Sequence, residues 1–183
     1  GDIKHVDFVL SDDFLVKYKK GLSRPWVLTQ KLNIYHDLLP HPLYLINDLI
    51  PDLKIDNVST KYGKYNFPEM IQLFLQSPIG ATATITISLN ITPITQRLHV
   101  YGSNGNIQID YRNFIDILEK NRALPQPLPR IIINISKSFQ YFFQTIISYF
   151  KLATGKIHPY KGLFNSIDNF YASVTDDELP NLK

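Results

Sequence analysis

No cysteine occurs among the 183 residues. That absence excludes disulfides and thiolate metal sites, and it fits a reducing, cytoplasmic compartment. A signal peptide is not visible: the opening Gly-Asp-Ile-Lys-His has neither a positive region nor an apolar core. A strand pattern begins at once, as expected of a chain cut from something longer. Glycine is sparse, with eight residues. None sits between a strand and a helix, where a dinucleotide-binding loop or a P-loop needs it. Charge of one sign is also missing. A net charge of +3 is too small to argue for nucleic acid. The lysines are scattered apart from Lys17, Lys19 and Lys20, and no basic stripe is interleaved with aromatics. No internal repeat is apparent.

What is present reads as one globular domain spanning residues 1–183. Apolar residues make up 44% and charged residues 19%, enough for a core and too apolar for a disordered tail. Residues 3–10 place Val6, Phe8 and Leu10 on one face and Asp7 and Val9 on the other, which predicts a strand. Asp12 or Asp13 can cap a short helical turn that Gly21 ends. Ser23-Arg24-Pro25-Trp26 reads as a loop carrying the only tryptophan.

The central stretch is Tyr35-His36-Asp37-Leu38-Leu39-Pro40-His41-Pro42-Leu43-Tyr44-Leu45-Ile46. Leu43, Ile46 and Leu49-Ile50 recur at helical spacing, and Pro51 stops that helix. Pro42 suits a first turn, where no amide donor is needed. His41 is therefore expected at a helix N-terminus, with Asp37 one turn earlier in the approach loop. The spacing lets the carboxylate contact or orient the imidazole, and a helix start disfavours an imidazolium, so His41 is suited to accept a proton. A bland alternative stands beside this one: His41-Pro42 caps a helix and Asp37 satisfies loop amides. A metal site is not expected. His36 and His41 are five apart, a helical zinc pair wants four, and no third ligand is near. Counting leaves a Ser-His-Asp triad open, but no G-x-S-x-G elbow exists.

Residues 53–62 alternate weakly as a strand, and Met70, Leu73 and Leu75 belong to a short apolar run ended by Ser77-Pro78-Ile79-Gly80. The cleanest pattern follows. Ala81, Ala83, Ile85, Ile87, Leu89 and Ile91 alternate with Thr82, Thr84, Thr86, Ser88, Asn90 and Thr92. A long strand is predicted, buried on one face and carpeted with hydroxyls on the other. Two further strands, Arg97–Tyr101 and Asn106–Asp110, flank a turn at Gly102-Ser103-Asn104-Gly105. Residues 120–130 read as a proline-rich linker. A helix is predicted over 131–152, with Ile132, Ile135, Phe139, Phe142-Phe143, Ile146 and Phe150 as an apolar stripe and Lys137, Gln140, Gln144 and Lys151 opposite. It is too interrupted for a membrane span, and is expected to be buried or to touch a subunit. Gly155 ends it. A last helix from about residue 160 is expected to bury Leu163, Ile167, Phe170 and Val174.

The order of these elements resembles the C-terminal domain of the glucose–fructose oxidoreductase/inositol dehydrogenase (Gfo/Idh/MocA) family. Asp37-Leu38-Leu39-Pro40-His41 resembles its D-x-x-x-H motif. Leu98–Asp110 resembles its glycine-turn hairpin, and Leu163–Val174 its closing helix. The chain departs from the family at Lys31–His36 and Leu39, where glycines are usual, and at the helix over 131–152. The resemblance implies an α+β fold: a mostly antiparallel sheet with helices packed on one face, its open face a subunit contact in a homodimer or higher homo-oligomer. It further implies a substrate-binding domain of an oxidoreductase acting on a sugar, sugar nucleotide or polyol hydroxyl. NAD or NADP would be bound mainly by a Rossmann domain that this chain lacks. By resemblance His41 is the acid/base, Asp37 binds or orients, and Arg24, Trp26 and His36 line the substrate side. The other reading is a non-catalytic binding or scaffold protein on the same fold, associated with a membrane surface through residues 131–152.

Overall fold

Val6 and Phe8 are wholly buried, as a central strand requires. The computed structural model describes residues 1–19, 21, 33–65, 67–120, 125 and 127–156. The chain divides into two compact units, Gly1–Gln144 and Thr145–Lys183.

The first unit is built on a seven-stranded sheet. Its strands are β1 (Ile3–Ser11), β2 (Lys54–Tyr62), β3 (Pro68–Gln76), β4 (Thr82–Ser88), β5 (Thr95–Gly102), β6 (Gly105–Asp110) and β7 (Ile115–Lys120). In space they run β2-β3-β4-β1-β5-β6-β7. β1 pairs in parallel with β4 and antiparallel with β5, and every other pairing is antiparallel. The fold is α+β with a mostly antiparallel sheet.

Short helices α1 (Phe14–Lys19), α2 (Tyr35–Leu38) and α3 (Pro40–Leu49) follow β1. They pack on the sheet face that carries Val6, Phe8, Leu73, Ile85 and Ile87, and contribute Leu15, Tyr35, Ile46 and Ile50 to that core. Alternation of side chains fixes which face is covered. A slip of one residue would turn Val6 and Phe8 out of the core in β1, or Ile85 and Ile87 in β4.

The structure differs from the sequence-based expectations at β4, β7, α3 and the last helix. β4 ends at Ser88 rather than at residue 92, and a turn through a cis Thr92–Pro93 peptide leads to β5. β7 lies where no strand was expected. In α3 the buried positions are Pro42 and Ile46, while Leu43 and Leu49 lie at the rim. The last helix, α4 (Leu128–Ala153), begins three residues early. Of its apolar stripe Ile135, Phe139, Phe142, Phe143, Ile146 and Phe150 are exposed, which leaves the expected subunit contact open. The helix expected from residue 160 lies outside the described residues.

Over residues 128–144, α4 belongs to the first unit and lines the free edge of β7. Leu118 N–H donates to Gln140 Oε1 (2.9 Å) and Gln140 Nε2 donates to the Leu118 carbonyl (3.1 Å). Asp116 N–H donates to Gln144 Oε1 (2.7 Å), and Gln144 Nε2 returns a bond to the Asp116 carbonyl. Lys137 pairs with Glu119 at 2.5 Å. In the second unit the described residues complete α4, which closes at Gly155 in a left-handed conformation (φ 68°) with Lys156 N–H donating to the Lys151 carbonyl (2.8 Å).

Candidate functional site

Tyr35 anchors the helical segment that carries the candidate residues. Its ring is buried, and its hydroxyl donates to the Pro68 carbonyl at 2.8 Å. Burial, reinforced by Glu69 and Tyr62, pushes the phenol pKa far above its usual value. The phenol stays a neutral donor. Pro42, Ile46 and Ile50 follow on the same side, and Ser77 Oγ bonds to the Pro51 carbonyl (3.0 Å) at the far end.

α2 and α3 nearly form one helix, because Leu39 between them has helical angles (φ −68°, ψ −37°). Pro40 and Pro42 both fall in the first turn of α3, where the missing N–H groups cost nothing. Asp37 therefore sits in a helical turn, not in a loop as the sequence suggested. Asp37 and His41 are one turn apart on one face. With Tyr44 and Asp48 they form an exposed ribbon on the side away from Tyr35, Pro42 and Ile46. His36 is exposed and points roughly 100° around the helix from Asp37. Among the described residues, no hydrogen bond or ion pair joins Asp37 to His41. The structure brings the two side chains to one face without coupling them. Beside them Pro40, Leu43, Tyr44, Ile55 and Leu75 border an open apolar recess of about 480 Å³. Arg24 and Trp26 lie outside the described residues.

Sequence reasoning missed a second cluster, on the opposite face of the sheet. His5 spans two threonines, with Nδ1 2.8 Å from Thr82 Oγ1 and Nε2 3.1 Å from Thr84 Oγ1. His99 stacks on Tyr101 at 4.0 Å. Burial draws the His99 pKa down, and its Nε2 is buried without a hydrogen-bond partner among the described residues. The signal was the parallel pairing of β1 with β4, which sets His5 against Thr82 and Asp7 against Thr84. Alternation alone does not supply that pairing.

No family model matches the sequence, and no curated protein does either. Solved structures do match. One is an inositol dehydrogenase homologue complexed with NAD+ from Azotobacter vinelandii, at 18% identity and TM-score 0.57, covering 68% of this chain and 36% of that one. Another is levoglucosan dehydrogenase in complex with NADH and L-sorbose, at 10% identity and TM-score 0.54, covering 77% and 50%. A third is UDP-N-acetylglucosamine 3-dehydrogenase from Acidithiobacillus ferrooxidans, at 15% identity and TM-score 0.52, covering 69% and 37%. This chain has the fold of the Gfo/Idh/MocA C-terminal domain.

The match spans half or less of each of these solved structures. A nicotinamide dinucleotide does not fit the described residues by the usual device. Gly102 and Gly105 pair with each other in the β5–β6 hairpin, and among the described residues no glycine lies in a strand-to-helix turn. Among the described residues no group of three or more His, Asp or Glu could hold a metal.

Proposed function

We propose that this chain is the substrate-binding and oligomerisation domain of an NAD(P)-dependent oxidoreductase acting on a hydroxyl of a sugar, sugar nucleotide or polyol. The carrying observation is the placement of Asp37 and His41, one turn apart on the exposed face of α2–α3, in a chain with the Gfo/Idh/MocA C-terminal fold. Structural neighbours that bind NAD+, NADH or L-sorbose support the substrate and cofactor class. The cofactor is held mainly by a Rossmann domain outside these residues. On this reading His41 takes or returns the proton of the reacting hydroxyl. Asp37, on the same face, accepts hydrogen bonds from substrate hydroxyls and fixes their orientation. His36 contacts the substrate from the flank, and Arg24 and Trp26 line its entrance. The open sheet face, with His5, Thr82, Thr84, His99 and Tyr101, forms a contact between copies of the chain.

Two measurements test this. The isolated chain, titrated with NADH, should show no tight binding, and tight binding would show that the cofactor is held here. The protein that includes the Rossmann domain, offered a panel of sugars, sugar nucleotides and polyols with NAD+ or NADP+, should generate reduced nicotinamide with at least one. Silence across the panel, from folded protein, favours the scaffold reading.

A further inference from the structure

On one flank the exposed ribbon of α2–α3 borders the apolar recess. Helical angles at Leu39 keep the two helices in phase, so positions three or four apart are neighbours. Pro40, Leu43 and Asn47 form a row along the recess, and His36 heads that row. Tyr44 belongs to both features. It follows His41 by one turn on the ribbon, and it also lines the recess. Cβ atoms that far apart on a helix are separated by about 5–6 Å, a span that one sugar ring bridges.

The recess ends against the sheet at Leu53, Ile55 and Leu75, where Ile55 pairs with Leu75 across β2 and β3. Its volume of about 480 Å³ falls within the roughly 300–1,000 Å³ of small-molecule sites. Tyr44 is 75% exposed and Ile55 60%, so apolar surface stands open next to His41.

The lining discriminates among substrates. Only Tyr44 and Asn47 bring polar side-chain atoms to it. A bare sugar or polyol has a hydroxyl on nearly every carbon, and most of these would lose water there without gaining a partner. A sugar nucleotide fits no better. No lining residue is charged, and the ribbon alongside carries Asp37 and Asp48, which repel a diphosphate. Lys54 precedes Ile55 in β2 and so points to the opposite face. An uncharged apolar substituent is favoured by burial, and an aromatic one also packs on the Tyr44 ring.

We propose that the recess binds the aryl aglycone of a glycoside whose sugar ring lies along the ribbon, with a hydroxyl at His41. Leu43, Tyr44 and Ile55 then determine specificity for the aglycone. That the glycoside is a substrate rests on the oxidoreductase reading; its binding does not.

Two experiments keep those failures apart. In the first, the intact 183-residue chain, isotope-labelled, is titrated with 4-nitrophenyl glucoside, glucose and UDP-glucose and followed by NMR. The aryl glucoside should shift Leu43, Tyr44, Ile55 and Leu75 saturably, and the other two should leave them in place. Tyr44→Ala with Ile55→Asn, on exposed side chains, should weaken that binding about tenfold or more with circular dichroism unchanged. The shift map on the wild-type chain decides the matter should this variant misfold. In the second, the protein that includes the Rossmann domain is offered free sugars, each beside its 4-nitrophenyl glycoside. The glycosides should show kcat/KM higher by about tenfold or more. No turnover at all, with the shifts present, removes the oxidoreductase reading and leaves the recess assignment standing. The proposal is overturned if the aryl glucoside causes no shifts at the recess, or if glucose or UDP-glucose matches them. It is also overturned if turnover shows no preference for the aryl member of each pair.

Discussion

Gln140 clasps Leu118 through both backbone groups, accepting from its N–H at 2.9 Å and donating to its carbonyl at 3.1 Å. One turn on, Gln144 does the same for Asp116. The match is geometric. Alternate residues of a strand repeat every 6.6 Å or so, and positions four apart on a helix repeat every 6 Å or so. Two glutamines spaced by four therefore imitate a neighbouring strand. An exposed β edge would otherwise invite pairing with another chain.

Replacing both glutamines by alanine should uncover that edge. Each lost hydrogen bond costs about 1 kcal/mol or less, because water can replace it. Amide exchange of Asp116 and Leu118 should accelerate while that of Val6 and Phe8 stays slow. Unaltered protection at 116 and 118 would show that the glutamines do not guard the strand.

Gly105→Ala should be more damaging than a place in a hairpin turn suggests. A Cβ at that position would overlap the Glu119 carbonyl oxygen in β7. Relief requires β6 and β7 to separate, at a cost of about 1–3 kcal/mol. Gly80→Ala meets no neighbouring atom, but its φ of 85° is unfavourable for alanine. Urea denaturation distinguishes the two: the Gly105 variant should also lose amide protection along β6 and β7, and the Gly80 variant should not.

Tyr35 gives the chain an alkaline limit. Its phenol pKa is raised in the folded state, first by burial and then by Glu69 and Tyr62. Above its ordinary value of about 10 the unfolded chain releases this proton and the folded chain keeps it. The stabilisation is complete below pH about 10 and declines as pH rises through the folded value. Tyr35→Phe should flatten stability against pH above about 10. It should also lower stability at neutral pH by about 1–3 kcal/mol, because the Pro68 carbonyl loses its donor. An unchanged alkaline slope in denaturant titrations would contradict this.

The sheet was legible wherever alternation was strict. Val6-Phe8-Leu10 and Ala81–Leu89 announce strands with one buried face, and both are found so. The Gly102–Gly105 turn likewise announces its hairpin. Residues 115–120 escaped because Ile115, Ile117 and Leu118 do not alternate cleanly, and their outer edge is completed by side chains distant in sequence. The exposure of α4 escaped for a related reason. Its stripe has the pattern of a core helix, and only Gln140 and Gln144 reveal that the polar side faces inward. In the candidate site the motif fixed the spacing of Asp37 and His41. It did not disclose the helical Leu39 that sets them on one face, nor the Tyr35 anchor beneath.

The central claim is that His41 handles the hydroxyl proton. The most direct measurement compares turnover and thermal unfolding of wild type and His41→Ala in the oxidoreductase that joins this chain to its Rossmann domain. His41 is exposed, so the unfolding temperature should stay close to that of wild type. Turnover should fall by about 10²–10⁴. An unchanged rate would remove His41 from the chemistry and contradict the account.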